Sequence, residues 1–220
     1  MAKAQSAQND WQVGLDQLRV ALPACRIEMR SADYTSAPQS GGGRQRRAAQ
    51  HDAGRLAAAA AGKGLTGLPC FAGRGPDGAP DWPKGLRGSI SHCADRSVAM
   101  VGDAANWCGL GVDIEQHLTT QIAQEIAPVA LTQRERVTFG ADPLWVALIF
   151  SAKESLFKAL SPLINRRFDF DAAELCADPK GAPHLRLTCD LAPDWPAGRM
   201  IKPLLIPCRA GVLTAVALPA

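Results

Sequence analysis

The chain is poor in aromatic residues and has no long apolar run. Phe, Trp and Tyr make up 5% of its 220 residues, and Tyr occurs once. No apolar segment approaches the ~20 residues that a membrane-spanning helix needs. The polar residues 1–6 also lack the apolar centre of a secretory signal peptide. We therefore expect a cytoplasmic protein that does not insert into a membrane.

Paired cysteine motifs and a strong charge of one sign are also missing. The seven cysteines are an odd number, are widely scattered and include no Cys-x-x-Cys, which argues against a disulfide framework and a cysteine zinc site. The net charge of +3 and the pI near 8.5 are too mild for an obligate nucleic-acid-binding protein. A local basic patch is still compatible with a polyanionic ligand. A chain of 220 residues is long enough for one domain or two small ones.

Residues 142–160 show the pattern of an amphipathic helix. Asp142 is a suitable N-cap, and Pro143 is a suitable first helical residue. Apolar residues then recur at helical spacing and predict one buried stripe. These residues are Trp145, Leu148, Ile149, Ala152, Leu156 and Leu160.

Charged residues interrupt this apolar run, and charge in such a setting needs a reason. Glu154 and Lys158 lie on another face of the predicted helix together with Ser151, and Lys153 directly precedes the glutamate. Taken alone, the i,i+4 Glu-to-Lys spacing is most typical of an ion pair on a solvated surface. A functional interpretation therefore depends on other parts of the chain.

A second acidic element lies upstream, where residues 109–115 read Gly-Leu-Gly-Val-Asp-Ile-Glu. The alternation of apolar and acidic residues predicts a strand that directs Asp113 and Glu115 to the same face. Glu154 from the helix would complete a set of three carboxylates, which suits a hard cation such as Mg²⁺, with Mn²⁺ as a substitute. We also predict that residues 97–102 and 108–115 pair as a hairpin that holds the acidic pair on a rigid element.

A third stretch, residues 88–93, reads Gly-Ser-Ile-Ser-His-Cys and is predicted to be a small, hydroxyl-rich loop. In order along the chain, the three stretches match the patterns Ser-x-Ser-His, Gly-(Val/Ile)-Asp-x-Glu and Lys-Glu-(Ser/Ala)-x-x-Lys. This ordered set resembles the 4′-phosphopantetheinyl transferases, specifically the single-chain type that activates peptide, polyketide and siderophore synthetases. Each pattern is weak when taken singly, and the specificity lies in their order and spacing.

Two further matches extend the resemblance over residues 46–160. They are Trp82-Pro83 followed by Gly85, and Arg46-Arg47 followed by Gly54-Arg55, a pairing found in the enterobactin-synthetase branch of the family. One position departs from the family pattern, because many relatives carry a basic residue shortly before the Trp-Pro pair and this chain has Asp77 there. Either Arg74 or Lys84 supplies that charge or it is missing, and we include Arg74 among the residues expected to bind the cofactor.

The order of the elements predicts the fold class. After residue 115, helices come first and four strands follow. The predicted strands are residues 173–177, 184–188, 200–206 and 212–217. Such segregation predicts an α+β fold, and the resemblance implies two similar α+β halves related by a pseudo-twofold axis. We place the N-terminal half at residues 1–118 and the C-terminal half at residues 119–220, and expect a monomer.

The resemblance also implies a reaction. Coenzyme A would bind between the halves, a serine hydroxyl of an apo acyl or peptidyl carrier protein would attack its β-phosphate, and 3′,5′-ADP would leave. Mg²⁺ on Asp113, Glu115 and Glu154 would bridge the pyrophosphate oxygens, while Lys158 and Lys153 would offset charge. The serine proton would go to Glu154, to a water that Glu154 orients, or to Lys153, and the sequence does not choose among them.

A helix predicted over residues 44–62 carries a basic face. Arg47, His51 and Arg55 lie at i, i+4 and i+8 and share this face. By itself the pattern is as typical of a solvated surface as of a phosphate site. With the resemblance, Arg47, Arg55 and His92 would hold the 3′-phosphate of coenzyme A, and Ser91 would add a hydroxyl donor.

Two rival functions would keep the three carboxylates. One is a coenzyme A or nucleotide-binding module without transfer activity. The other is a Mg²⁺-dependent phosphohydrolase that uses water as its nucleophile. The sequence also does not say which carrier protein or pathway a transferase of this kind would serve.

Overall fold

Two antiparallel sheets, each covered by a long helix, organise the chain. The computed structural model describes residues 2–31, 42–68, 70–75, 78–94, 96–164 and 166–220, without the side chains of residues 2–10 and 42–46. The helices are α1 (Ala2–Ala21), α2 (Gly42–Thr66), α3 (Thr120–Ala130), α4 (Gln133–Phe139) and α5 (Pro143–Ile164), with a short 3-10 turn at Phe170–Ala172. The strands are β1 (Cys25–Ser31), β2 (Gly73–Arg74), β3 (Pro80–Asp81), β4 (Leu86–Cys93), β5 (Arg96–Asp103), β6 (Trp107–Gln116), β7 (Ala173–Ala177), β8 (Pro183–Leu187), β9 (Met200–Ile201), β10 (Leu204–Cys208) and β11 (Gly211–Pro219).

The two main sheets repeat one arrangement. The first has the strand order β1-β5-β4, and the second has the order β10-β11-β6. Their principal elements follow the same succession, β1-α2-β4-β5 and β6-α5-β10-β11, and the last strand of each lies in the centre of its sheet. Helix α2 packs on the first sheet, and helix α5 packs on the second. The α+β prediction is therefore confirmed, with the same succession in both halves.

Apolar side chains form two main buried clusters. One includes Ile149, Leu156 and Leu185, and it lies between α5, α3 and the small sheet β7-β8-β9. The other includes Trp11 and Met100, and it lies where α1 covers strands of both main sheets. Burying a side chain of this size contributes on the order of 2 kcal/mol. The two clusters therefore hold α5 and β6 firmly in place.

The pairing of β6 differs from the predicted hairpin. β5 lies between β1 and β4, so both of its edges are already hydrogen bonded, and β6 pairs with β11 instead. The hairpin prediction for residues 97–102 and 108–115 is therefore wrong, because residues 104–106 carry the chain from one sheet to the other. The division of the chain at residue 118 stays a prediction, and β6 lies in the second sheet.

The start of α5 follows the predicted pattern with one exception. Asp142 Oδ1 accepts hydrogen bonds from the main-chain nitrogens of Leu144 (3.0 Å) and Trp145 (3.1 Å), and α5 begins at Pro143. The apolar stripe is buried apart from Trp145, which is 39% exposed. Its ring packs against Phe139 at a tilt of 33°, with the centroids 4.7 Å apart, and borders an open groove. The first turn of α5 therefore extends past the core.

Other local predictions are corrected by the structure. α2 continues to Thr66 rather than ending at Gly62, because the glycine in the left-handed conformation is Gly67 (φ 77°), whose main-chain nitrogen donates to the oxygen of Lys63 (2.8 Å). Residues 88–93 belong to β4 and are not a loop. The predictions for Asp77 and for the side chain of Arg46 lie outside the described residues.

The structure describes the state of the cysteines and the hydrophobicity of the helices. All seven cysteines are free thiols, so the chain has no disulfide framework. In the part of the chain that the structure describes, no helix is both long enough and apolar enough to cross a membrane.

Candidate active site

Two glycines bring α5 close to β6. A Cβ atom at Gly111 would lie 1.8 Å from the main-chain oxygen of Ser155, and one at Gly109 would lie 2.3 Å from that of Ala159. Neither position can hold a side chain unless the helix moves, because the obstacle is backbone. The helix therefore lies directly on the strand, and its polar side chains reach Asp113.

β4 approaches β6 with two buried serines. Ser89 Oγ accepts a hydrogen bond from the main-chain nitrogen of Val112 (3.1 Å), and Ser91 Oγ donates to Oδ1 of Asp113 (2.7 Å). Ile90 points the other way, because a Cβ atom at Gly54 in α2 would lie 2.8 Å from its Cγ2. The Ser-x-Ser-His stretch therefore joins the first sheet to the acidic strand of the second.

Asp113 is the centre of this junction and is only 2% exposed. Its Oδ1 accepts from Ser91 and from Nζ of Lys158 at 2.6 Å, and its Oδ2 accepts from Ser151 at 2.8 Å. Lys158 also donates to Ser91 Oγ at 3.0 Å. A buried carboxylate needs such partners, because its desolvation is otherwise unfavourable by several kcal/mol. Lys158 supplies the compensating charge.

Glu115 and Glu154 are electrostatically coupled to Asp113. Burial, followed by the charge of Asp113, raises the pKa of Glu115 to about 7, with a smaller contribution from Glu154 and an opposing one from Lys158. Burial also raises the pKa of Glu154, and Lys158 opposes that shift more strongly than Asp113 adds to it. The structure therefore brings the three predicted carboxyl groups into one electrostatic environment.

The donor set has the chemistry of a site for a hard cation, but the side chains are not arranged as a preformed metal centre. Among the described residues, no group of three or more His, Cys, Asp or Glu side chains is placed to hold a metal ion. Carboxylate oxygens are nevertheless the ligands that Mg²⁺ prefers. The raised pKa values of Glu115 and Glu154 reflect burial and repulsion, both of which a bound cation would offset.

Lys153 lies away from the acidic junction. Its Nζ donates to Oε2 of Glu135 (2.7 Å) and to the main-chain oxygen of Ala130 (2.9 Å). The side chains of Lys153 and Glu135 are 3% and 1% exposed, and Glu135 also accepts from the main-chain nitrogen of Leu175 (2.6 Å). The predicted charge-offsetting and base roles of Lys153 are therefore not supported, because its ammonium belongs to a buried ion pair that joins α5 to α4 and β7.

The basic face of α2 lies beside His92. Arg47, His51 and Arg55 are exposed on this helix. Burial and then Lys158 lower the pKa of His92, and His51 makes a smaller contribution in the same direction, against Asp113. His92 therefore lies within electrostatic reach of both α2 and the Asp113 junction. Arg74 lies in the β2-β3 hairpin, where its guanidinium packs 3.7 Å from the Cβ position of Gly78, against its own turn.

Two openings flank Phe157 and Lys158. A cavity of about 210 Å³ lies beside Glu154, with Phe157, Arg167, Phe168 and Phe170 in its wall. A groove of about 430 Å³ runs between the two sheets and is lined in part by Trp82, Leu110 and Lys158. An elongated ligand could therefore reach the acidic junction from either side.

The sequence did not reveal the polar residues behind Asp113. Ser151 is on the same predicted helix face as Glu154 and Lys158, which was the available signal. Thr214 is a single threonine in an apolar strand, and nothing in its local sequence points to a site. It became visible only because β11 pairs with β6 and places Thr214 opposite Asp113.

Models of known protein families match the chain in two places. The 4′-phosphopantetheinyl transferase N-terminal domain matches residues 43–102. The 4′-phosphopantetheinyl transferase superfamily model matches residues 109–200. Together the two matches cover more than half of the chain, and the three ordered motifs lie inside them.

Individual proteins are similar over parts of their length. Enterobactin synthase component D from Salmonella typhi is 38% identical over 135 residues, which cover 60% of this chain and 55% of the relative. The 4′-phosphopantetheinyl transferase Svp from Streptomyces mobaraensis is 41% identical over 121 residues, 53% of this chain and 48% of the relative. A solved holo-(acyl-carrier-protein) synthase from Bacillus anthracis, in complex with CoA (3′,5′-ADP), has a TM-score of 0.40 and 20% identity over 53% of this chain and 99% of that chain.

The chain spans about half the length of the curated relatives it matches. Its own residues nevertheless contain both family regions, in the order of the three motifs. These matches show that the chain belongs to the 4′-phosphopantetheinyl transferase superfamily.

Proposed function

We propose that this protein transfers the 4′-phosphopantetheine group of coenzyme A to a serine of an apo carrier protein and releases 3′,5′-ADP. The observation that carries the proposal is the junction at Asp113. There, Ser91 from one sheet and Lys158 from α5 meet a buried aspartate of the other sheet, within electrostatic reach of Glu115 and Glu154. Phosphoryl transfer depends mainly on positioning and on neutralising charge, and this junction supplies groups for both.

Asp113, Glu115 and Glu154 would hold the metal in this proposal, which is Mg²⁺ with Mn²⁺ as a substitute. When bound, the metal supplies charge neutralisation and orientation at the pyrophosphate. Because no preformed group of ligands exists among the described side chains, Glu115 and Glu154 would adjust their rotamers on binding. Lys158, whose side chain is 25% exposed, would then offer its ammonium to substrate phosphate oxygens.

Glu154 is the better supported candidate for the base that accepts the serine proton. Its carboxylate is coupled electrostatically to Lys158 and Asp113, so it lies among the groups that would surround the reacting phosphate. Both Glu154 and Lys153 line the cavity that opens beside the junction, so the cavity does not distinguish them. Lys153 is engaged in its pair with Glu135, which leaves Glu154, or a water that it orients, for this step.

Coenzyme A would extend across the junction. Arg47 and Arg55 on α2 and His92 on β4 would bind its 3′-phosphate, because the two guanidinium charges suit a near-dianion and the imidazole adds a hydrogen-bond donor. The lowered pKa of His92 implies that the phosphate would bring a proton onto the ring as it binds. The aromatic cavity beside Glu154 would hold the pantetheine arm, whose methyl and methylene groups would pack on the aromatic rings.

The partners follow from this reaction. We propose that the acceptor is an apo acyl or peptidyl carrier protein, or a carrier domain of a larger synthetase. The protein would act in the cytoplasm as a monomer of two halves, divided near residue 118, and without nucleic acid. Ser91, which the sequence suggested as a phosphate donor, would serve by positioning Asp113 and Lys158.

One assay separates this function from its rivals. Purified protein is mixed with apo carrier protein, coenzyme A and Mg²⁺, and the carrier is examined by intact mass spectrometry. We expect the phosphopantetheine adduct on the carrier serine and 3′,5′-ADP in solution. Bound but unreacted coenzyme A would indicate a binding module, and hydrolysis without an adduct would indicate a phosphohydrolase.

A further inference from the structure

Three buried hydroxyl groups lie in a row behind Asp113. Ser151 Oγ is 2.8 Å from Oδ2 of Asp113, Thr214 Oγ1 is 2.9 Å from Ser151 Oγ, and Ser155 Oγ is 2.8 Å from Thr214 Oγ1. Ser151, Ser155 and Thr214 are all 0% exposed. The row joins one turn of α5 to the central strand β11 and ends on the carboxylate in β6.

The number of hydroxyl hydrogens gives this row a direction. A carboxylate oxygen only accepts, so Ser151 donates its single hydroxyl hydrogen to Asp113. Ser151 must then accept from Thr214, and Thr214, having donated its own hydrogen, must accept from Ser155. The row of hydrogen bonds therefore runs from Ser155 through Thr214 and Ser151 to Asp113, and each bond polarises the next.

The two oxygens of Asp113 have different partners. Ser151 holds Oδ2, while Oδ1 is the atom that contacts Ser91 and Lys158. A carboxylate gripped at one oxygen has little freedom to rotate about its Cβ–Cγ bond. Outer partners of this kind commonly change metal affinity or activity by ~10–100-fold when they are removed.

We propose that Ser151, Thr214 and Ser155 are positioning residues for Asp113, which hold Oδ2 so that Oδ1 is presented to the metal and phosphate side of the site. This inference rests on the proposed function, in which Asp113 is a metal ligand. None of the three hydroxyls needs to touch the substrate. Their effect should appear in metal binding before it appears in coenzyme A binding.

The test is a titration of the purified protein with Mn²⁺, in which electron paramagnetic resonance measures the free ion. We expect Ser151→Ala to weaken Mn²⁺ binding by about 10-fold or more, and Thr214→Val, which keeps the side-chain shape, by about 3-fold. Thr214→Ser restores the hydroxyl and should return binding to within about 2-fold of the wild type. Ser97→Ala is the matched control, because Ser97 is also 0% exposed and its hydroxyl donates to the main-chain oxygen of Gln50.

Transfer kinetics provide a second readout. At subsaturating Mg²⁺ the Ser151→Ala and Thr214→Val variants should lose kcat, while their KM for coenzyme A stays within about 2-fold. Unchanged Mn²⁺ binding in Thr214→Val, or an equal loss in Thr214→Val and Thr214→Ser, would overturn the inference even if Ser151→Ala fails to fold. A wild-type protein that transfers phosphopantetheine but binds no Mn²⁺ would overturn the positioning role and leave the transferase function standing.

Discussion

Lys153 and Glu154 are neighbours in the chain with different surroundings. The ammonium of Lys153 is enclosed with Glu135, and both side chains are almost completely buried. Glu154 is only partly buried and responds to the charges of Lys158 and Asp113. Removing one partner of a buried ion pair leaves an uncompensated charge, whereas removing a partly solvated carboxylate does not. The two residues should therefore differ in what their loss affects.

We expect Glu154→Gln to lower kcat for phosphopantetheine transfer by at least ~100-fold with little change in melting temperature, as for the loss of a principal electrostatic group. Lys153→Met should lower the free energy of unfolding by about 3 kcal/mol, or on the order of 10 °C in melting temperature. Its kcat, measured well below that temperature, should stay within about 5-fold of the wild type. Circular dichroism and intact-mass kinetics measure the two effects. A loss of kcat in Lys153→Met equal to that of Glu154→Gln would place Lys153 in the reaction.

Glu115 should make the stability of the metal-free protein depend on pH. Its pKa rises from 4.5 to about 7 on folding, so the folded protein retains a proton that the unfolded chain releases between these values. Its contribution to stability is therefore fully present below pH 4.5 and is lost as the pH rises through about 7.

Glu115→Gln removes this dependence because an amide carries no charge. In the absence of metal, we expect the variant to melt on the order of 5 °C above the wild type at about pH 8, corresponding to about 2 kcal/mol. The gain should shrink toward about pH 5. Glu125→Gln, on the exposed surface of α3, is the control and should show neither effect. A gain that is the same at both pH values would contradict an origin in the ionisation of Glu115.

At the scale of the elements, the contact of α5 with β6 decides where the functional groups meet. Because Gly111 has no side chain, the main-chain oxygen of Ser155 can lie 1.8 Å from the point where a Cβ atom of residue 111 would be. Since Ser151 and Lys158 lie on one face of α5, about two turns apart, a shift of the helix would move two partners of Asp113 at once. We therefore expect close packing of α5 on β6 to matter for activity as well as for stability.

Gly111→Ala should separate α5 from β6. We expect a loss of about 1–3 kcal/mol in the free energy of unfolding, seen as a lower denaturant midpoint, and a fall in kcat of about 10-fold or more because the Asp113 partners are displaced. Gly64→Ala in α2 is the control, since its Cβ would meet only side-chain carbons of Arg26 at 3.7 Å, and alanine favours the helix. Full activity in Gly111→Ala would show that the close approach is not needed.

The basic face of α2 should discriminate between coenzyme A and its dephospho form. The two compounds differ only in the 3′-phosphate, so Arg55→Ala or His92→Ala should raise the KM for coenzyme A by about 10-fold and hardly change that for dephospho-coenzyme A. Lys63→Ala, an exposed residue of the same helix, tests for a general charge effect. Equal losses with both compounds would remove the 3′-phosphate assignment.

At the scale of the whole molecule, the net charge of +3 should influence how the protein associates with the proposed carrier protein. An acidic carrier protein would be attracted to it over several ångströms, and salt screens such attraction. We expect an increase from about 50 mM to 300 mM NaCl, which shortens the Debye length roughly twofold, to raise the KM of the carrier more than that of coenzyme A. Carrier kinetics that do not respond to salt would contradict charge-steered docking.

Local chemistry in the sequence determined several parts of this protein. Three features depend on residues that are close together in the chain. They are the cap at Asp142, the buried stripe of α5, and the alternation that directs Asp113 and Glu115 to one face. The same holds for the three motifs that place the chain in its superfamily. The α+β class also followed, because the order of helices and strands is a property of the sequence.

Only the tertiary structure decided which groups meet. β6 pairs with β11, not with its neighbour β5, because β5 has no free edge. Lys153 turns to Glu135, 18 residues away, and Thr214 reaches Ser151, 63 residues away. No short sequence window contains both members of such pairs, and burial selects the partner through desolvation and packing across the whole fold.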